Sequence, residues 1–207
     1  MILIHGKLLP NEAQLQIIDH LAIDIAHTLQ NDEGIDAHMV ISACDILLQK
    51  VLNHQFDSIL MPLLQNLDIS YDMFLKHASL FSRKSLVHKV EVELGSVDSQ
   101  DRMLDEHNRS IRYPLGVLLH IAAGNVDGLP AYSVVEGLLT GNINLLKLPS
   151  GDQGLSILLL QELIQIEPRL QDYIYVFDVP STEIESIKKL ASHSDAVIVW
   201  GGDAAVK

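Results

Sequence analysis

Cysteine is nearly missing from this 207-residue chain: Cys44 stands alone, so an internal disulfide and a four-cysteine zinc site are both excluded. Basic side chains are scarce as well. Residues 1–113 hold 9 of them against 16 acidic ones, and residues 114–207 hold 5 against 11, giving a formal charge of −13 in which neither half is basic. A nucleic-acid groove or an anionic membrane surface requires clustered Lys and Arg, so no nucleic-acid or membrane partner is expected. No apolar run approaches the ~20 residues of a membrane helix, and the start at Met1–His5 has no basic region followed by a long apolar stretch. The compartment expected is the cytoplasm. Also lacking are a P-loop GK[ST] tripeptide, the G-x-G-x-x-G of an ordinary Rossmann turn, and HExxH. Nine of the ten histidines fall before residue 121, and His20 and His27, seven apart, are too distant for ordinary chelation, so no metal site is expected.

What the chain has in quantity is apolar side chains, 48% of residues, enough for a full core. From Asn11 to Leu80 they recur at helical spacing, as in Leu15, Ile18, Leu21, Ala22 and Ile25, and again in Met39, Val40, Ala43, Leu47 and Leu48. Three or four amphipathic helices are expected, broken at 31–34, near Asn53 and around 68–70, with a further helix over 84–94. Residues 95–112 turn polar, with six acidic or amide side chains between Asp98 and Asn108. The organisation read here is an N-terminal helical region (1–94), a hairpin or linker (95–113) and an α/β portion (114–207).

After Pro114 short apolar strands alternate with helices, the pattern of a parallel sheet with crossovers. Strands are predicted at 116–122, 143–148, 173–177 and 196–200, with helices at about 128–139, 151–165 and 182–192. The sequence runs only seven residues past Trp200, into what reads as the start of another helix, so a longer sheet is expected and the chain is read as truncated.

Three segments carry candidate chemistry. In PLGVLLHIAAGNVDGLP (114–130) an apolar strand runs into small residues and a helix start. Ligands of open parallel sheets lie beyond the carboxyl ends of strands, so the 122–127 turn is placed where a ligand would be. Ala123 and Gly124 leave room for a flat ring. Asn125 offers either an amide donor to a developing oxyanion or a plain helix cap. In GLLTGNINLLKLPS (137–150), Gly141 and Asn142 end a helix with residues tolerant of left-handed geometry, then launch a strand that delivers Lys147. That lysine is the one basic residue between Pro114 and Arg169, read either as a ligand's cation or as a solvated side chain. In AVIVWGGDAAV (196–206), Gly201 and Gly202 follow a strand and suit a phosphate at a helix N-terminus, as they also suit an ordinary turn. His120 and Trp200 are read as packed against the sheet.

In combination these segments, with the approach VELGSVDSQD (92–101), resemble the aldehyde dehydrogenase superfamily over roughly residues 86–207, most closely its acyl-CoA reductase (LuxC-type) branch. The resemblance implies an α/β fold with an aldehyde-dehydrogenase-like, Rossmann-type parallel sheet, and reduction of a fatty acyl thioester to an aldehyde. It makes Asn125 the oxyanion-stabilising residue. Ile121, Ala122 and Ala123 would line the nicotinamide side of the cofactor, Lys147 and Ser150 would meet the adenosine ribose, and Gly201 with Gly202 would lie against the pyrophosphate. Common aldehyde dehydrogenases place an aromatic before the asparagine, where this chain reads AAGN, and NAD-preferring members often hold a glutamate where this chain has Ser150. A carboxylate there repels a 2′-phosphate, and Ser150 beside Lys147 accepts one, so NADPH is expected, with NADH possible.

The resemblance places the nucleophilic cysteine many tens of residues after the diglycine, in a catalytic domain that this chain is expected to lack. Cys44 precedes every cofactor segment within an apolar helical run and reads as a buried, inert thiol. The isolated chain is accordingly expected to be inactive. A glutamyl phosphate reductase-like enzyme and a non-catalytic nucleotide-binding or scaffold module are the alternatives. Family members associate through a hairpin, and residues 99–113 are positioned to form one, so a homodimer is an expected partner alongside the acyl thioester.

Overall fold

The computed structural model of the chain describes residues 1–30, 34–98, 101–103, 109–122 and 129–200. Short strands β1 (Ile2–Ile4) and β2 (Lys7–Leu9) come first. Helices follow at α1 (Gln14–Leu29), α2 (Ala37–Leu52), α3 (Asp57–Asn66), α4 (Tyr71–Ala78) and α5 (Arg83–Leu94). The polar stretch after α5 carries β3 (Asp101–Met103) and β4 (Arg109–Ile111), which pair antiparallel. Then come β5 (Val117–Ile121), α6 (Leu129–Leu139), β6 (Ile143–Lys147), α7 (Leu155–Ile166), β7 (Ile174–Phe177), α8 (Ile184–Ser192) and β8 (Ala196–Val199). No helix among the described residues is long and apolar enough to cross a membrane.

The main sheet has the order β2-β1-β7-β6-β5-β8. Strands β7, β6, β5 and β8 run parallel, and β1 pairs antiparallel with β7. The chain thus steps from β5 to β6 to β7 in one direction, then crosses back to place β8 on the other side of β5. This is the strand order of a doubly wound Rossmann-type sheet, and its direction reverses between β5 and β8. Right-handed crossovers put α6 and α7 together on one face and α8 on the other. Contacts agree: α6 packs on α7, and α8 packs on α1. Helix α2 covers α6 and α7 and α3 packs on α7, so α2 to α5 form an outer layer on that face, whereas α1 lies with α8 on the other.

All four predicted parallel strands are present, because runs such as VLLHI and INLLK are buried throughout or nearly so, as strands covered on both faces must be. The β1–β2 hairpin is an addition that sequence periodicity does not reveal. Three buried residues, Ile2, Leu3 and Ile4, are too few to show a period. The cue is the turn itself: His5 and Gly6 both take positive φ (46° and 71°), the requirement of a two-residue primed turn.

Side chains fix the amino edge of the sheet. Gly141 ends α6 at φ 77°, and the Asn142 Oδ1 behind it accepts from the Gly116 N–H at 3.0 Å. On the other side of β5, Asp195 Oδ2 accepts from the Val117 N–H at 2.8 Å. Helix α6 lies close on the sheet at Gly137, where an added Cβ would stand 1.8 Å from Asn144 Oδ1. Gly137→Ala therefore improves helix propensity yet forces α6 off the sheet, and it should destabilise the fold by about 1–3 kcal/mol. Urea unfolding tests this; a midpoint at or above that of the parent would contradict the packing described.

Candidate functional site

The carboxyl edge of the parallel strands brings two of the predicted residues, Ile121 and Lys147, together by register. Ile121, the last residue of β5, is paired with Lys147 at the end of β6 and with Val199 at the end of β8. Lys147 is in turn paired with Phe177 at the end of β7. Trp200 extends the β5–β8 ladder by one bond, its N–H donating to the Ile121 carbonyl at 3.0 Å. Ile121 is partly exposed and Ala122 buried, at the point where the strand order reverses. Ala123, Asn125, Gly201 and Gly202 lie outside the described residues.

Lys147 is not a solvated lysine. It is 4% exposed, and its Nζ donates to Ser181 Oγ at 2.9 Å in the loop after β7. Burial pulls its pKa below the ordinary lysine value, and the carboxylate of Asp178 opposes that shift. Asp178 itself accepts from Asn11 Nδ2 at 2.7 Å, which ties the segment before α1 to the same edge. Ser150 is exposed. The loop that carries it is held by Asp152, whose carboxylate accepts from the N–H groups of Gly154 and Ser156 and from the Ser156 hydroxyl at the start of α7. Burial raises the Asp152 pKa against those hydrogen bonds.

Beneath this edge runs a chain of buried polar side chains. His120 is fully buried, with Nε2 2.9 Å from Asn144 Oδ1 and Nδ1 2.7 Å from Ser133 Oγ. The direction of every bond follows from its ends. Asn144 Nδ2 donates to the carbonyls of Asn142 and Tyr173, so its Oδ1 is the acceptor. His120 must then carry its proton on Nε2, and its bare Nδ1 accepts from the Ser133 hydroxyl. The Ser133 oxygen accepts in turn from the Trp200 indole N–H at 2.9 Å. Burial depresses the His120 pKa, and the bond to Asn144 offsets part of that shift. His120 and Trp200 are thus packed residues, as the sequence suggests.

Ser133, Asn144 and Ser181 escape sequence reading. A signal exists for the first two. His120, Asn144 and Ser133 are isolated polar residues in three successive apolar elements, and buried polar groups require partners. Cys44, the one cysteine, is fully buried in α2, and burial pushes its thiol pKa strongly up. Among the described residues no three His, Cys, Asp or Glu side chains are grouped to hold a metal.

A family model described as acyl-CoA reductase (LuxC) matches residues 34–207. A long-chain acyl-protein thioester reductase of Vibrio harveyi is 30% identical over 131 residues, 61% of this chain and 28% of that protein. The protein of the same description from Aliivibrio fischeri is 28% identical over 132 residues, 62% and 28% of the two lengths. That of Photorhabdus luminescens is 29% identical over 131 residues, 61% and 27%. The matched stretch therefore spans little more than a quarter of these relatives.

The buried, neutral His120 makes stability depend on pH. Its folded pKa lies below the ordinary value of 6.5, so between the two values the unfolded chain binds the extra proton. The contribution is complete above about pH 6.5 and is lost as pH falls towards the folded value. In urea unfolding at a series of pH values from about 7 to 5, the parent should lose stability more steeply than His120→Gln; equal slopes would show that His120 is not held neutral.

Proposed function

The chain belongs to the acyl-CoA reductase (LuxC) family, and from that membership we propose that it forms the nucleotide-binding part of a reductase that converts a fatty acyl thioester to an aldehyde. The observation that carries the reading is the register at the carboxyl edge, with Ile121 flanked by Lys147 and Val199 where the strand order reverses. That reversal is where doubly wound sheets take nucleotides. The donor set suits a phosphorylated ribose. It comprises a sequestered ammonium at Lys147 and the hydroxyls of Ser181 and Ser150, with no carboxylate at position 150.

On this reading Lys147 and Ser150 hold the adenosine ribose and favour a 2′-phosphate, so NADPH is preferred over NADH. Ile121, Ala122 and Ala123 line the nicotinamide side, and Gly201 with Gly202 takes the pyrophosphate. A bound reduced nicotinamide supplies the hydride. Asn125 donates its amide to the carbonyl oxygen of the acyl group as negative charge develops there. A thioester route needs a thiolate nucleophile, and Cys44 does not provide one, being fully buried with a raised pKa. We therefore assign this chain nucleotide binding and orientation, and expect no acyl transfer from it alone. The β3–β4 ladder and the segment after it, where Ile111, Tyr113 and Leu115 are exposed, are assigned to self-association.

Titration of the 207-residue chain with NADPH and NADH, followed by nicotinamide fluorescence, tests the reading. NADPH should bind more tightly, and Lys147→Met, which keeps the buried stem, should weaken NADPH about tenfold or more, the scale of one charge-assisted hydrogen bond. Binding of neither nucleotide, or an unchanged affinity in Lys147→Met, would overturn it.

A further inference from the structure

Strand β8 is paired only with β5 among the described strands, and its burial alternates. Val197 is 47% exposed and Val199 39%. Strand alternation puts those two on the face opposite His120, since Leu119 and Ile121 are their register partners. Apolar packing on that face therefore does little to fix where the end of β8 lies. On the other face the end is tied twice. The Trp200 main chain bonds Ile121 of β5, and its indole turns back to bond Ser133 of α6.

The second tie is rigid because of what stands behind it. Ser133 and Gly137 are four apart on α6 and so share the face turned to the sheet. Gly137 admits Asn144 and Ser133 meets His120. His120 is pinned by Asn144, and Asn144 by the carbonyls of Asn142 and Tyr173. Each member has one role in the bonding pattern, so a shift at one end leaves a buried donor or acceptor unpaired somewhere along the chain. An apolar filling would pack as well without specifying position.

We infer that the Asn144–His120–Ser133–Trp200 chain is a positioning device that fixes the end of β8 against β5 where the strand order reverses. Its bearing on ligand affinity rests on the reading of that edge as the nucleotide site. Ser133 and Trp200 are positioning residues and touch no reacting atom. Their effect is on affinity for the nucleotide rather than on the fold as a whole.

Trp200 is the single tryptophan of the chain, so intrinsic fluorescence reports on it alone. The test compares the parent, Ser133→Ala, Trp200→Phe and Leu60→Ala. The last removes a fully buried side chain of α3, remote from the relay. Ser133→Ala should raise acrylamide quenching of Trp200 by about twofold, and both Ser133→Ala and Trp200→Phe should weaken NADPH by about tenfold, the scale of a single hydrogen bond lost at a buried site. Leu60→Ala should lower the melting temperature while leaving quenching and affinity within about twofold of the parent. Unchanged quenching and unchanged affinity in Ser133→Ala overturn the inference, as does an equal loss of affinity in Leu60→Ala, which would mark a general effect of stability. If the parent takes up neither nucleotide, the nucleotide reading falls, and the quenching comparison alone decides whether the relay holds Trp200.

Discussion

Strand β5 is paired on both edges and covered on both faces, so every polar group that meets it must find its partner inside the protein. Most of the α/β portion follows from that constraint. At the amino edge, Asn142 and Asp195 take the N–H groups of Gly116 and Val117, and so join β5 to the starts of β6 and β8. Within the strand, His120 reaches Asn144 and Ser133, and through Ser133 the end of β8. The geometry of the carboxyl edge, where Ile121 stands between Lys147 and Val199, is set by these internal bonds.

The same constraint separates the two kinds of residue at the edge. Those below it are satisfied and sequestered, and their chemistry is spent on position. His120 is kept neutral by burial, and Cys44, deeper in the helical layer, is kept as a thiol. At the rim Ser150 is exposed, and Lys147, itself buried, holds its ammonium at the strand end against the Ser181 hydroxyl.

Much of this was legible in the sequence, and what escaped did so for physical reasons. The four parallel strands are continuous apolar runs, and their period with the helices between them announces the crossovers. Gly141 at the end of α6 follows from its tolerance of positive φ. Ile121, Ala122 and Lys147 are found at one edge because strand ends in a parallel sheet share a side. The N-terminal hairpin was hidden by strands of three residues each. The partners Ser133 and Ser181 were hidden because their pairing is tertiary: sequence separations of 13 for His120 and Ser133 and 34 for Lys147 and Ser181 carry no local period. Ala123, Asn125, Gly201 and Gly202 lie outside the described residues.

On the proposed function, a nicotinamide nucleotide lies along the carboxyl edge, across the ends of β6, β5 and β8. Hydrogen–deuterium exchange of the chain with and without saturating NADPH tests it most directly. Slowed exchange is expected in peptides that contain the ends of β5, β6 and β8, with the opposite edge around residues 34–38 and 112–116 unchanged. Protection at that amino edge, or none at the strand ends while the nucleotide is bound, would contradict it.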